Sequence, residues 1–184
     1  MRKAAFLDRD GVLNRAVVKA GKPYPPINVS ELEILPGVAH ALERLREAGY
    51  LSIVVTNQPD VARGTTTRSA VEAINAHLRH ALALDAFYVC WHDDSSACGC
   101  RKPAPGLILQ GANDYNVDRA ASFMIGDRWR DIEAGQRAGC HTVWINRHYD
   151  ERMPVGADYE TNELESAVNW IMKFKGKAED ENRS

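Results

Sequence analysis

The stretch Phe6–Asn14, FLDRDGVLN, is the part of this sequence that decides the fold. It continues a short apolar run, Ala4–Leu7, of the kind that forms a strand buried on both faces of a parallel sheet. Two carboxylates, Asp8 and Asp10, follow at alternate positions, and Gly11 lets the chain turn sharply after them. Open α/β sheets bind their ligands at the carboxyl ends of the strands, so this pattern predicts a functional edge here. An ordinary Asp-Gly turn is the plain alternative.

The composition indicates one ordinary globular domain. The 184 residues are 45% hydrophobic and 26% charged, with a net charge of −2. This charge gives no reason to expect a nucleic-acid or membrane partner, and no apolar run is long enough to span a bilayer. Because a strand begins at once, there is no room for a signal peptide, and we expect a cytoplasmic monomer. We predict one domain over residues 1–174 and a disordered polar tail over residues 175–184.

Strands and helices alternate along the rest of the chain. We predict strands over Leu51–Val55, Ala86–Trp91, Ala121–Ile125 and Thr142–Ile145, and an edge strand at Ala157–Tyr159. We predict helices over residues 38–48, 68–83, 105–115 and 164–174, and one that ends at Gly135–Gly139. This order predicts an α/β fold with a doubly wound parallel sheet. The segment Arg15–Ser30, rich in Gly and Pro, is predicted to be a long loop, either a pocket wall or a passive surface excursion.

Two polar residues, Thr56 and Asn57, come directly after the second predicted strand. A hydroxyl and an amide at this edge of the sheet are able to donate hydrogen bonds to phosphate oxygens. A strand-ending turn or a helix N-cap is the alternative for the same two residues.

Three cysteines and a histidine crowd into one short segment, as Cys90, His92, Cys98 and Cys100. Three thiolates and an imidazole satisfy a tetrahedral Zn²⁺ completely, which predicts a structural zinc site with no open position for substrate. The alternative is a loop with free thiols. The clustering favours a metal site in a reducing compartment over disulfides. Cys140 lies apart and is predicted to be a buried packing thiol.

The run DRDGVLN, residues 8–14, resembles the DxDG signature of the haloacid dehalogenase superfamily of phosphotransferases. The resemblance implies a Rossmann-like core, here without a large cap domain, in which Asp8 is the nucleophile and Asp10 the general acid/base. The longer form of the motif is similar to a narrower group that contains the heptose 1,7-bisphosphate and the histidinol-phosphate phosphatases. That group also has a zinc loop of the C-x-H and C-x-C type.

Three later motifs of the superfamily follow in the same order. The resemblance implies that Thr56 binds the transferring phosphate and that Lys102 neutralises nucleophile and phosphate. It also implies that Asp127, in the GDRWRD run that begins at Gly126, is a Mg²⁺ ligand. The ion would be held by Asp8, the main-chain carbonyl of Asp10, and Asp127, as oxygen ligands suit Mg²⁺.

Several neighbouring residues are candidates for substrate binding. Thr56 and Lys102 belong to this set, and its other members are Asn57, Arg63, Arg101 and Arg128. The pair Pro59-Asp60 departs from the Ser-Gly that the family pattern would have and adds a negative charge near the pocket. Asp131 is expected either to support the site or to act as an acid in the first turn of a helix.

The expected activity is phosphoryl transfer to an aspartate, in a Mg²⁺-dependent phosphatase that acts on a small phosphorylated metabolite. The resemblance favours a heptose 1,7-bisphosphate cleaved at the 7-position, with histidinol phosphate or another small metabolite as the alternative. A non-catalytic phosphate-binding or zinc-stabilised interaction module is the non-enzymatic alternative. A phosphotransferase or mutase is disfavoured because such enzymes usually need a cap that excludes water.

Overall fold

The computed structural model describes residues 1–174, and the predicted tail at 175–184 lies outside the described residues. The strands are β1 (Lys3–Leu7), β2 (Val17–Lys19), β3 (Lys22–Tyr24), β4 (Tyr50–Asn57), β5 (Ala86–Cys90), β6 (Phe123–Gly126), β7 (His141–Ile145) and β8 (Tyr159–Thr161). The helices are α1 (Val38–Glu47), α2 (Arg68–Ala81), α3 (Gly106–Asp114), α4 (Trp129–Ala138) and α5 (Leu164–Lys173). Within the described part of the chain, no helix has the length and apolar character needed to cross a membrane.

Six of the strands form one sheet in the order β5-β4-β1-β6-β7-β8, and every neighbouring pair is parallel. The predicted doubly wound parallel sheet is therefore confirmed. At its centre, Leu7 of β1 pairs with Val54 of β4 on one side and with Ile125 of β6 on the other. The carboxyl ends of these three strands consequently meet at one edge of the sheet, which is where the polar motifs follow them.

The side chains of β1 alternate between two cores. Ala5 and Leu7 pack with α1, α2 and α5 on one face, while Ala4 and Phe6 pack with α3 and α4 on the other. All four side chains are fully buried. Burial on both faces explains why the strand is continuously apolar rather than alternating, and it fixes the height at which Asp8 leaves the sheet.

The segment Arg15–Ser30 is not the loop that the sequence predicts. Its first half forms an antiparallel hairpin of β2 and β3, and a 3₁₀ turn follows at Val29–Glu31. The hairpin turns through Ala20 and Gly21, which both have positive φ, the conformation that matches strand twist in a two-residue turn. Pro23 is tolerated because both strands of a two-stranded ribbon are edges.

The strands of the sheet differ from their predicted ranges by one or two residues at their ends, and β4 runs on through Thr56 and Asn57. Two of the other differences have a visible cause. The edge strand β8 begins at Tyr159 because the Asp158 side chain is engaged with β7: its carboxylate accepts a hydrogen bond from the Thr142 N–H at 2.8 Å. The strand β6 begins at Phe123, because the Ser122 hydroxyl is engaged in accepting from the Ala4 N–H at 2.9 Å. Among residues 1–174, the longest run outside strands and helices is 91–105, so the predicted absence of a large cap is confirmed. Cys140 is buried in the core, as predicted.

Candidate active site

The polar residues at the carboxyl ends of β1, β4 and β6 lie together at one edge of the sheet. Asp8, Thr56 and Asp127 are each buried, at 7%, 1% and 3% exposure. The Thr56 hydroxyl accepts a hydrogen bond from the Gln58 side chain at 3.0 Å. A cleft opens above them, and the β2–β3 hairpin forms one wall through residues 22–25. The pocket-wall interpretation of this segment is therefore the correct one of the two alternatives.

Lys102 contacts groups from three parts of the fold at the base of the cleft: the end of β1, β4 and α4. Its ammonium lies 2.7 Å from Asp8 Oδ1, 2.6 Å from Asp131 Oδ1 and 2.7 Å from the Val55 carbonyl oxygen. Burial alone would lower the pKa of Lys102, but the Asp131 and Asp8 carboxylates outweigh it and raise the pKa to about 12. The ammonium is therefore a permanent positive charge beside Asp8.

Asn57 holds the backbone of Lys102 in place. Its side-chain amide donates to the Lys102 carbonyl at 3.0 Å and its oxygen accepts from the Lys102 N–H at 3.1 Å. The amide of Asn57 is thus committed to positioning the lysine. Its predicted contact with substrate stays a prediction.

Asp127 is the most unusual group of the site, because both carboxylate oxygens are buried and neither has a donor in good hydrogen-bond geometry, although the Tyr149 hydroxyl lies beside them. Gly11 makes its position possible: Gly11 has a φ of +91°, and a Cβ there would lie 1.8 Å from Asp127 Oδ2. Burial, together with the charges of Asp8 and Asp131, raises the pKa of Asp127 well above its usual range. An unpaired buried carboxylate is costly, which indicates that a ligand normally satisfies it.

A hard cation fits this arrangement. Single oxygens of Asp8, Asp127 and Asp131 all lie within 4.8 Å of one another. These three carboxylates face one ammonium, Lys102, so a divalent ion would balance the remaining charge, and oxygen ligands suit Mg²⁺. Asp131 is occupied elsewhere, since one oxygen contacts Lys102 and the other accepts from the Arg128 N–H at 2.9 Å. Asp8 and Asp127 are therefore the side chains best placed to hold the ion. Asp131 is an acid in the first turn of α4, which is one of its two expected roles, and its support of the site stays a prediction.

The side chain of Asp10 is held by a separate network. The buried Arg9 guanidinium forms an ion pair with the Asp10 carboxylate, with Nη2 at 2.9 Å from Oδ2. The side-chain amides of Asn14 and Gln58 donate to the same carboxylate at 3.0 and 2.9 Å. Arg9 in turn donates to Asn75 Oδ1, on α2, at 2.9 Å. The Asp10 side chain is thereby held in a fixed orientation at the edge of the cleft. The metal contact predicted for its main-chain carbonyl stays a prediction.

Arginines line the outer part of the cleft. Arg63, Arg101 and Arg128, which the sequence singles out, are joined there by Arg130. Arg128 forms a two-fold ion pair with Glu151. Burial would lower the pKa of Arg128, but the contact with Glu151 outweighs it and raises this pKa. The other three lie around the carboxylate of Asp94. The cleft is therefore suited to a substrate with more than one anionic group.

The four predicted zinc ligands come together beside this cleft. The three sulfur–sulfur distances are 3.8 Å for Cys90–Cys98, 3.2 Å for Cys90–Cys100 and 3.5 Å for Cys98–Cys100. His92 Nδ1 lies 3.6 Å from Cys90 Sγ and 3.3 Å from Cys100 Sγ. A tetrahedron with Zn–S bonds of about 2.3 Å has edges of about 3.8 Å, so the four residues fit the ion. The sulfurs are too far apart for disulfides.

Comparison with known proteins agrees with this geometry. Residues 14–139 match the family model of the haloacid dehalogenase-like hydrolases. The chain belongs to this family. The predicted enzyme class, a phosphoric monoester hydrolase, is confirmed.

Two relatives and one solved structure cover nearly the whole of this hydrolase. It is 34% identical to a D-glycero-beta-D-manno-heptose-1,7-bisphosphate 7-phosphatase of Yersinia pestis, over 92% of this chain and 89% of the relative. It is 32% identical to the D-glycero-D-manno-heptose-1,7-bisphosphate 7-phosphatase of Thermosynechococcus vestitus, over 92% of this chain and 95% of the relative. The crystal structure of a D,D-heptose 1,7-bisphosphate phosphatase from B. bronchiseptica, complexed with magnesium and phosphate, superposes with a TM-score of 0.80. That match has 30% identity and covers 93% of this chain and 98% of the other.

Sequence reasoning missed the residues that support the hydrolase site from outside its motifs. Arg9 and Gln58 lie next to singled-out residues, so their positions were a signal that went unused. Arg130 lies inside the GDRWRD run and was equally visible. Asn75, on α2, carried no such signal, since one asparagine in a helix is more often a surface residue.

Proposed function

We propose that this hydrolase is a Mg²⁺-dependent phosphatase that removes the 7-phosphate of D-glycero-D-manno-heptose 1,7-bisphosphate through an aspartyl-phosphate intermediate. The observation that carries the proposal is the buried Asp8–Lys102 pair beside the unpaired carboxylate of Asp127, beneath a cleft lined with arginines. The choice of substrate is based on the similarity of the chain to heptose bisphosphate phosphatases.

In the first step, Asp8 attacks phosphorus and the bond to the sugar oxygen breaks. Lys102, 2.7 Å from Asp8 Oδ1, fixes the carboxylate and neutralises charge that builds up on the phosphoryl group. The Thr56 hydroxyl would donate to a phosphoryl oxygen. Mg²⁺, held by Asp8 and Asp127, would supply the positive charge that lets an anionic carboxylate approach an anionic phosphate.

Asp10 handles the protons of both steps. As an acid, it gives a proton to the departing sugar oxygen; as a base, it then takes one from the water that attacks the aspartyl-phosphate. Inorganic phosphate leaves and Asp8 is regenerated. The contacts of Asp10 with Asn14 and Gln58, at 3.0 and 2.9 Å, hold the carboxylate at the cleft through both steps.

The zinc site is proposed to be structural. Cys90, His92, Cys98 and Cys100 would use all four positions of the ion, and Arg101 and Lys102 follow directly. A rigid loop limits the side-chain entropy that these two cations lose on binding substrate. Zinc thiolates also suit a reducing compartment, so the proposal places the enzyme, as a monomer, in the cytoplasm.

Histidinol phosphate is a weaker candidate substrate. Its amine would need a free acid in the cleft, and Asp60 is the candidate for that role. Asp60 lies 3.2 Å from Arg63, so its charge is already balanced. Asp94 and Glu151 are likewise paired, with Arg101 and Arg128, so these acids are not free to bind the amine either.

The test is to compare kcat/KM for heptose 1,7-bisphosphate, for heptose 1-phosphate and for histidinol phosphate, with Mg²⁺ and after chelation. We expect the bisphosphate to be preferred by at least about a hundredfold over histidinol phosphate, because each buried charge mismatch costs several kcal/mol. Activity should be lost on chelation and restored by Mg²⁺. Preference for histidinol phosphate would overturn the substrate assignment, and activity that persists without divalent ions would overturn the metal requirement.

A further inference from the structure

One acidic side chain lies among the arginines of the cleft. Asp94 Oδ1 accepts from Arg101 Nε at 3.2 Å and Nη2 at 2.9 Å, and Asp94 Oδ2 accepts from Arg63 Nη2 at 2.8 Å. Arg130 Nη2 lies 3.8 Å from the same carboxylate. The three arginines come from the loop after β4, from the zinc loop and from the start of α4. One carboxylate therefore occupies the point on which three guanidinium groups converge.

The charges at this point favour a stronger anion. Asp60 also pairs with Arg63, so these three arginines form ion pairs with two acids, and Arg130, 3.8 Å from Asp94, is the least closely paired of the three. The Asp94 side chain is 53% exposed, whereas that of Arg101 is 12% exposed. Arg101, which donates two hydrogen bonds to Asp94, thus lies deeper than the acid, and the acid reaches it from the solvent side. Ion pairs of such exposed acids are weak, so a better ligand displaces them readily.

A phosphate group is that better ligand. It carries nearly two negative charges and three acceptor oxygens, and guanidinium groups bind it with paired hydrogen bonds. Displacing Asp94 also leaves the loop intact, because its neighbour holds the turn. Asp93 Oδ1 accepts from the Ser95 N–H at 3.0 Å and from the Ser95 hydroxyl at 2.7 Å.

We infer that Asp94 is a placeholder for the non-reacting phosphate of the substrate, which displaces it from Arg63, Arg101 and Arg130 on binding. The inference rests on the proposed function, because it assigns the second phosphate of a sugar bisphosphate to this arginine cluster. It adds Arg130 to the substrate-binding residues, and it makes Asp94 a residue that sets specificity by competition.

Competition and simple support predict opposite signs for one substitution. If Asp94 competes with the phosphate, Asp94→Asn strengthens binding of a sugar bisphosphate. If Asp94 only orients the arginines, the same change weakens it. Asp93→Asn is the matched control: it removes one negative charge at the adjacent residue and keeps the Oδ1 acceptor that holds the turn.

The experiment measures inhibition of aryl phosphate hydrolysis by fructose 1,6-bisphosphate and by fructose 6-phosphate, at fixed Mg²⁺ and moderate salt. We expect Asp94→Asn to lower the inhibition constant of the bisphosphate up to about fivefold relative to that of the monophosphate, the factor that corresponds to one exposed ion pair. Arg130→Gln should raise this ratio of inhibition constants by a similar factor. Asp93→Asn should leave the ratio unchanged.

An unchanged or raised ratio in Asp94→Asn would overturn the placeholder role while leaving the phosphatase assignment standing. An effect of equal size in Asp93→Asn would overturn it as well, because general electrostatics would then explain the result. An enzyme that hydrolyses aryl phosphate but not heptose bisphosphate would contradict the proposed substrate alone, since these ratios do not depend on which sugar is hydrolysed.

Discussion

Gly11 and Asp127 are packed so closely that the first decides where the second can lie. Gly11 has a φ of +91°, which L side chains rarely adopt, and a Cβ on it would lie 1.8 Å from Asp127 Oδ2. The glycine of the signature is thus needed for two reasons, the backbone conformation and the space. The second reason links it directly to the proposed metal site.

Replacing Gly11 by alanine should separate these two reasons. Gly49 is a matched control, since it also has a positive φ, +80°, but has nothing within 4 Å of its would-be Cβ. Both Gly11→Ala and Gly49→Ala should lose roughly 1–2 kcal/mol of stability from backbone strain. Only Gly11→Ala should lose activity, by about a hundredfold, because Asp127 is displaced. Equal activity in the two variants, measured at saturating Mg²⁺, would contradict the account.

At this scale the sequence was most informative where chemistry follows a strand. Asp8, Thr56 and Asp127 could be predicted because each lies at the carboxyl end of a buried apolar run and parallel strands bring their carboxyl ends together. Asn75 could not, because its contact with Arg9 depends on how α2 packs against the sheet. The same holds for the pairing of Arg63 with Asp94, which joins two loops that lie 31 residues apart.

At the scale of elements, the zinc loop and the hairpin form the rim of the cleft on a sheet that was predicted almost completely. The cluster of Cys90, His92, Cys98 and Cys100 was predictable because four possible metal ligands in one short segment form a local pattern. The hairpin was not, because its turn uses Ala20, a non-glycine residue with a φ of 48°. Sequence reasoning treats such a residue as ordinary, and the Pro-rich continuation then argues for a loop.

The zinc proposal is tested by metal content. Purified protein should contain about one zinc per chain, and Cys98→Ser should reduce this sharply while Cys140→Ser, in the core and outside the group of four ligands, should not. Loss of zinc should raise KM for substrate more than it lowers kcat, since Arg101 lies on the loop and Asp8 does not. Elemental analysis that finds no zinc in protein made with zinc supplied would contradict the site.

At the scale of the whole molecule, the buried acids make stability depend on pH and on metal together. Burial is the main cause that raises the pKa of Asp8 to about 6, and it raises that of Asp127 further above its usual range. Such groups keep protons in the folded state that they lose on unfolding. Without a cation, the folded state should therefore lose stability as the pH rises above the ordinary value of 3.8.

Mg²⁺ should reverse this loss, and its effect should grow with pH because protons compete for the same oxygens. At a hundredfold excess over Kd, binding adds roughly 2.7 kcal/mol, which raises the Tm of a chain of this size by about 5–10 °C. We expect this rise in Tm at about pH 7.5 and a much smaller rise at about pH 5. Asp127→Asn should show little rise at either pH. Thermal unfolding that gives the same Mg²⁺ shift at both pH values would contradict the assignment.

The most direct test of the central claim is chemical trapping of the intermediate on Asp8. Asp10→Asn should still form it from an aryl phosphate, whose leaving group needs little protonation, and should accumulate it because water is no longer activated. Acid quenching and borohydride reduction, followed by peptide mass spectrometry, locate the acyl phosphate. The account predicts modification at residue 8 alone, dependent on substrate and Mg²⁺ and absent from Asp8→Asn. Modification at any other residue, or hydrolysis by Asp8→Asn at an appreciable rate, would contradict it.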